Sequence, residues 1–238
     1  MYNLTNQPIR DILRKLTPNI LKVYYRKLRY LSRLKKSVKE IFTEIKEKNL
    51  WGSPKSVSGP GSEAKQIEKL IIDLSNLFKI KDIKSILDIP CGDFNWMKEV
   101  DLSGIEYIGA DIVDGLINEN IRKYENKNIE FKVLDIITDK LPTVDLIFVR
   151  DCFVHLSYKN IFHAINNIKL SGCKYLLTTT FTNRHNNYDI ITGDWRPLNL
   201  CDKPFKFPEP EYVIVENCSE LGGIFQDKSM GLWCIDKL

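Results

Sequence analysis

No apolar run in these 238 residues reaches the roughly 18 that a membrane-spanning helix needs. The six cysteines (Cys91, Cys152, Cys173, Cys201, Cys218 and Cys234) form no C-x-x-C pair. With only three histidines beside them, no zinc-finger spacing can be assembled. The opening stretch, MYNLTNQPIRDILRK, has neither the apolar core nor the small-residue cleavage site of a secretion signal. Scattered cysteines and no leader predict reduced thiols in a cytoplasmic protein. Glycine (12) and proline (10) are too few for a low-complexity linker or a collagen-like chain. The G-x-G-x-x-G and P-loop patterns are both missing. The usual backbone cradles for a dinucleotide or for ATP are therefore absent.

What is present reads as one globular domain with an extension. Hydrophobic residues make up 43% and charged residues 28%, values that exclude wholesale disorder. The net charge of +4 is unevenly spread. Residues 1–40 hold 11 Lys or Arg against two acids, Asp11 and Glu40, so the remainder of the chain is net negative. A basic body for gripping nucleic acid is absent, and no nucleic-acid partner is expected. Residues 8–48 carry Ile9, Ile12, Leu13, Leu16, Ile20, Leu21, Tyr24, Leu28, Leu31 and Leu34 at helical spacing, with Arg and Lys between them. The spacing predicts helix over 8–48, broken at Pro18. A basic amphipathic arm over 1–48 suits an anionic membrane surface, for example peripheral contact at an inner membrane face. It equally suits packing on the body or on a second copy of the chain.

The rest, 49–238, alternates. After a Gly/Ser/Pro loop (WGSPKSVSGPGS, 51–62), Glu63–Phe78 reads as a helix with Ser62 as its cap. Short apolar strands are predicted over 85–89, 107–110, 129–134, 144–149 and 175–180, with helices over 113–123 and 158–169. Continuous apolar strands joined by helices predict a doubly wound parallel sheet covered on both faces. Residues 181–210 are polar, aromatic and irregular, as in a substrate lid or insert. Runs at 212–216 and 231–235, separated by Gly222-Gly223, predict a closing antiparallel return.

Ligands of an open parallel sheet bind outside the carboxyl ends of its strands. Every such end here carries polar residues: Asp88-Ile-Pro90-Cys91-Gly92-Asp93, Asp111, Asp135, and Arg150-Asp151 with His155 a turn later. Gly92 admits close backbone approach. Asp111 is placed to accept both hydroxyls of a ribose. Asp135 suits an adenine amino group, with Ile136 alongside, and Asp88 suits a water or an ammonium group. Asp93 adds negative charge where a pyrophosphate would lie. Ribose, adenine and a cationic centre together describe S-adenosylmethionine.

Ser85–Asp93 resembles motif I of class I S-adenosylmethionine-dependent methyltransferases. Asp111 matches their ribose-binding acid, Asp135-Ile136 their adenine-edge pair, and the final return their last two strands. The resemblance covers about residues 50–238. Pro90 and Phe94 stand where many members have glycine. The resemblance implies a Rossmann-like seven-stranded sheet, mostly parallel with an antiparallel last strand, with Pro90 and Ile112 joining the cofactor set. WGSPKSVSGPGS, LDIPCGDFNWM, GDWRPLNL and DKSMGLW further resemble sugar O-methyltransferases of surface-glycan (capsule or lipopolysaccharide) biosynthesis. That implies a sugar or nucleotide-sugar acceptor. It also implies His155 as the general base, oriented by Asp151 or with Asp151 itself in that role.

Arg150 would meet the methionine carboxylate or pair with Asp151. Trp51, Ser58, Gly59 and Ser62 would close over the cofactor. His185, Asp194, Arg196, Asp227 and Lys228 would meet the acceptor, with Arg196 and Lys228 suited to its anionic groups. No spacing argues for a metal. The alternatives are a methyltransferase of a small phosphorylated metabolite or lipid, and a non-catalytic cofactor-binding partner of a glycosyltransferase.

Overall fold

The computed structural model describes residues 31–33, 35–51, 64–218 and 220–238. The expected helix over 8–30, its break at Pro18, and Ser58, Gly59 and Ser62 lie outside them.

The helical arm does not run unbroken to residue 48. The chain is helical at 31–33, turns at 35–36, and starts a new helix, α1 (Val38–Glu47). Ser37 is the reason. Its hydroxyl accepts the Glu40 N–H at 3.2 Å, and the Glu40 carboxylate accepts the Ser37 N–H at 2.6 Å. This reciprocal capping box satisfies two backbone donors at a helix start and fixes where α1 begins.

Helix α2 (Ala64–Ile80) leads into the sheet. The order is then β1 (Ser85–Asp88), β2 (Glu106–Asp111), α3 (Asp114–Tyr124), β3 (Ile129–Val133), β4 (Leu146–Val149), α4 (Tyr158–Leu170), β5 (Tyr175–Phe181), β6 (Tyr212–Val215), a short α5 (Glu220–Gly223) and β7 (Lys228–Cys234). The strands lie in the order β3-β2-β1-β4-β5-β7-β6. The first five are parallel, and β7 runs antiparallel to both β5 and β6. The seven-stranded sheet expected from the sequence is therefore present. β7 begins three residues earlier than its periodicity predicts, which moves Lys228 out of the turn and into a strand.

The apolar runs explain the layering. β4 and β5 are buried along their whole length, because both faces are covered. At the edges, β3 and β6 each bury only one residue, Phe131 and Ile214. On one face, Ile67, Leu70, Leu74 and Leu77 of α2 and Ile117 of α3 pack with Phe94, Tyr107 and Phe131. On the other, Ile161, Ala164, Ile165 and Ile168 of α4 recur at i, i+3, i+4 and i+7, and Phe205, Phe207, Leu198 and Leu200 extend that core. The irregular segment after β5 thus contributes four buried apolar side chains to the core.

The tightest approach in the sheet is at Gly231. A Cβ there would lie 2.3 Å from Cη2 of Trp233. The Trp233 ring is held, because its Nε1–H donates to the Pro208 carbonyl at 2.7 Å and it stands edge-on to Phe207. Gly231→Ala should cost about 1–3 kcal/mol. Urea unfolding should show a lowered midpoint at an unchanged slope.

Candidate active site

The strand order reverses between β1 and β4, and a cleft opens there at the carboxyl ends of β1, β2 and β4. With its mouth, it encloses about 1080 Å³. Asp88–Gly92, Asp111–Val113, Leu134–Ile137, Arg150–Cys152, His155 and Leu156 line it. The cleft thus gathers Asp88, Pro90, Gly92, Asp111, Ile112, Asp135, Ile136, Arg150, Asp151, His155 and Trp51 of the residues read from the sequence.

The turn after β1 is pinned to its neighbours. The Cys91 N–H donates to the Ala110 carbonyl at 2.8 Å, and Asn120 Nδ2 donates to the Gly92 carbonyl at 2.8 Å. Gly92 has φ +57°, and its N–H donates to Asp111 at 3.3 Å. Phe94, at the position where the resembling family has glycine, takes φ +54°. A left-handed non-glycine residue costs about 1–2 kcal/mol. The Phe94 ring offsets this by packing against Tyr107, Tyr124 and Phe131 at 5.2–5.3 Å. Asp93 is not among the lining residues, and its carboxylate accepts the Asn95 N–H.

The acids of the cleft differ in state. Burial pushes Asp88 up to about 8, against the Tyr107 hydroxyl that donates to it at 2.5 Å. Burial also raises Asp111 to about 6, opposed by the N–H groups of Val113 and Gly92. Asp135 is raised by burial as well, while its carboxylate accepts the Ile137 N–H at 2.8 Å. Asp151 goes the other way. Burial would raise it, but Lys228 and Arg150 outweigh that and bring it to about 2.

Asp151, half-buried, pairs with an ionic group whose other members are buried. Lys228 Nζ lies 2.6 Å from Asp151 and 3.3 Å from Glu216. Arg150 grips Glu216 with two bonds of 3.1 and 2.7 Å, lies 3.6 Å from Asp151, and stacks over Trp96 at 5.1 Å. Asp151 takes φ +53°, with its N–H donating to Thr179 Oγ1 at 2.8 Å. The expectation that Lys228 meets an anionic acceptor is corrected here, because its charge is spent inside the fold.

His155 closes the short turn Phe153–His155. Its Nδ1 lies 2.9 Å from the Asp194 carbonyl oxygen, which can only accept, so Nδ1 carries the hydrogen. Orientation of the ring therefore falls to Asp194 and not to Asp151. Burial lowers the His155 pKa, although the Asp194 carbonyl and Asp151 oppose it. With the hydrogen on Nδ1, the neutral ring carries its lone pair on Nε2. Trp51 lies against it, with ring centroids 4.9 Å apart at 30°.

Arg196 is also corrected. It is fully buried and donates to the carbonyls of Tyr188, Phe153, Val154 and Leu156 at 2.7–3.0 Å. It clamps the His155 turn and cannot reach an acceptor. His185 is exposed and outside the cleft lining. Asp227 is bound by Arg184 at 3.0 Å, and Asp194 by Arg33 at 2.8 Å. Neither lines the cleft. Among the described residues, no three His, Cys, Asp or Glu gather as a metal site. None of the described helices is long and apolar enough to cross a membrane.

Sequence reasoning missed Val38, Phe42 and Lys46, by which α1 lines the cleft. The S-V-K-E signature at Ser37 would have separated α1 from the arm. Asn120, Trp96 and Glu216 carried no local signal, since each reaches the site by tertiary folding.

No family model matches the sequence, and no curated protein matches it. Solved structures do match. The N-methyltransferase NodS from Bradyrhizobium japonicum WM9 superimposes with a TM-score of 0.52 at 12% identity, over 73% of this chain and 98% of that one. The fold is that of a methyltransferase. Magnesium protoporphyrin IX methyltransferase from Synechocystis PCC 6803, with bound S-adenosylhomocysteine, gives 0.47 at 13% identity over 62% of this chain and 72% of that one. Human N-acetylserotonin methyltransferase gives 0.46 at 14% identity over 71% of this chain. The chain spans about half (52%) of that protein's length.

The raised carboxyl of this methyltransferase fold predicts a pH dependence. Between about pH 4 and about 8, the folded chain keeps a proton on Asp88 that the unfolded chain has released. Stability should therefore fall as pH rises through that window. Asp88→Asn should flatten the fall, as measured by urea unfolding from pH 5 to pH 8.5.

Proposed function

We propose that this chain is an S-adenosylmethionine-dependent O-methyltransferase acting on a sugar hydroxyl, with His155 as its general base. The observation that carries the reading is the His155 ring in the cleft, held through Nδ1 by the Asp194 carbonyl at 2.9 Å. With Nδ1 donating to that carbonyl, Nε2 is the nitrogen left to accept a hydroxyl proton.

The cleft suits the cofactor by its donor set. Asp111 stands at the end of β2 for ribose hydroxyls, and Ile112, Leu134 and Ile136 offer apolar contact to a flat base. Asp88 keeps its proton near neutral pH and Asp151 is balanced by Lys228 and Arg150, so the preference for a cationic centre over a pyrophosphate falls to Asp111 and Asp135. When bound, S-adenosylmethionine would supply a methyl group already activated by its sulfonium.

The protein's part is then positioning and proton removal. Val38, Phe42, Lys46 and Trp51 line the cleft and restrict water. His155 Nε2 accepts the proton as the acceptor oxygen takes the methyl. Asp151, ionised and paired with the buried ionic group, favours the imidazolium that results.

The cations expected to greet an anionic acceptor are committed elsewhere: Arg196 to four carbonyls, and Lys228 to Asp151 and Glu216. This supports an uncharged hydroxyl on a growing glycan over a nucleotide sugar or a phosphorylated metabolite. In the same reading, the chain works in the cytoplasm. Its basic residues 1–30 contact an anionic membrane surface or a second copy of the chain.

Calorimetry with S-adenosylhomocysteine should give micromolar binding that Asp111→Ala abolishes. Binding that survives Asp111→Ala would remove the cleft as the cofactor site. In a glycan methylation assay, His155→Ala should lower kcat by about 10²–10⁴-fold with binding of S-adenosylhomocysteine unchanged. An unchanged kcat would remove His155 as the base.

A further inference from the structure

The residues just before α1 reach the loop that holds His155. The Arg33 side chain is 9% exposed, and its Nη1 donates to the Asp194 carboxylate at 2.8 Å and to the Thr192 carbonyl at 3.4 Å. Between these two contacts lies Gly193. Its φ is +92°, and a Cβ there would stand 2.6 Å from Ile41 Cγ2 and 3.0 Å from Arg33 Cζ. The close fit needs a glycine, so Arg33 and α1 dock onto this loop by backbone approach. The loop in turn grips the His155 turn. The Gly193 N–H donates to the His155 carbonyl at 2.7 Å, and the Asp194 carbonyl accepts from His155 Nδ1 at 2.9 Å.

We propose that Arg33 is a positioning residue for His155. By clamping residues 192–194 it keeps the Asp194 carbonyl on Nδ1 and so presents the Nε2 lone pair to the cleft. A free histidine side chain prefers its hydrogen on Nε2, the tautomer that could not act as a base from that atom. The fold must therefore impose the other tautomer, and the imposing acceptor sits on a loop that needs an anchor. Arg33 supplies it through a charge-assisted bond that is largely shielded from water. The sequence segment read as a peripheral arm thereby becomes part of the catalytic assembly. This rests on His155 being the base, but the arrangement can be tested apart from that.

The chain has three histidines, His155, His163 and His185. Ring-labelled ¹⁵N-histidine gives three sets of signals, and His155→Gln identifies those of His155. The charged groups facing His155 are Asp151, which favours its charged form, and Arg196 and Lys228, which oppose it. At pH 8 the ring is neutral and the spectrum reports the tautomer alone. In the unaltered protein, Nε2 should have the shift of an unprotonated nitrogen and Nδ1 that of a protonated one. Arg33→Ala should move both shifts toward a mixture of tautomers, and Arg33→Lys, which can still pair with Asp194, should restore them.

Asp194→Asn keeps the carbonyl but removes the anchor. It should act like Arg33→Ala, and the double variant should be no worse than either. If Arg33→Ala does not fold, as judged by circular dichroism, Asp194→Asn decides. In the methylation assay, kcat should fall about tenfold with KM and S-adenosylhomocysteine affinity unchanged. Ring shifts that stay the same in Arg33→Ala or Asp194→Asn would overturn the proposal, as would an Nε2-protonated ring in the unaltered protein. Absence of methyl transfer would count against the proposed function alone, because the nitrogen shifts report on the clamp without it.

Discussion

Buried Arg150, Glu216 and Lys228, joined by half-buried Asp151 at the carboxyl edge of the sheet, are what the site is built upon. Arg150 follows β4, Glu216 follows β6 and Lys228 opens β7, so their pairing ties three strands at one end. Asp151 completes a charge-balanced set. Removing one side of the buried Arg150–Glu216 pair would leave a buried charge uncompensated, at a cost of about 3–5 kcal/mol. The same set holds Asp151 ionised, while at Asp88 burial outweighs the Tyr107 hydroxyl and Arg150, and at Asp111 it outweighs the backbone N–H groups, so both are pushed up. One cleft therefore contains acids in different protonation states, decided by their neighbours.

A second layer of control sits around the turn at His155. Gly193 and Asp194 bond to His155 itself, and Arg196 caps the carbonyls on either side of it. A short turn at a strand end has few internal hydrogen bonds, so its geometry must come from outside. Here the segment after β5 provides it, with Leu198 and Leu200 buried beneath. That segment is irregular yet anchored. Its polar residues serve the backbone of the site, where the sequence reading assigned them to an acceptor.

The sheet was legible because its strands are short apolar runs and its helices show 3.6-residue spacing. β1, β2, β4 and β5 each end within about two residues of their expected positions, since burial on both faces demands an uninterrupted apolar string. Asp88, Asp111, Asp135, Arg150, Asp151 and His155 were legible as a set, because a parallel sheet brings every carboxyl end to one edge. Arg196 and Lys228 were misread for one physical reason. A charged residue in an irregular stretch looks solvated until the fold shows a carboxylate or a row of carbonyls against it. Glu216 and Asn120 were invisible because their partners lie 66 and 28 residues away in the chain.

The sequence by itself determined the layered sheet and the polar edge that makes a ligand site, because both follow from local periodicity and from a topology with few solutions. Only the tertiary structure decided which charges meet solvent, which tautomer His155 holds, and that α1 lines the cleft. Those outcomes depend on pairings between distant segments. In a low-dielectric interior, the neighbours of a charge set its state more strongly than its own identity does.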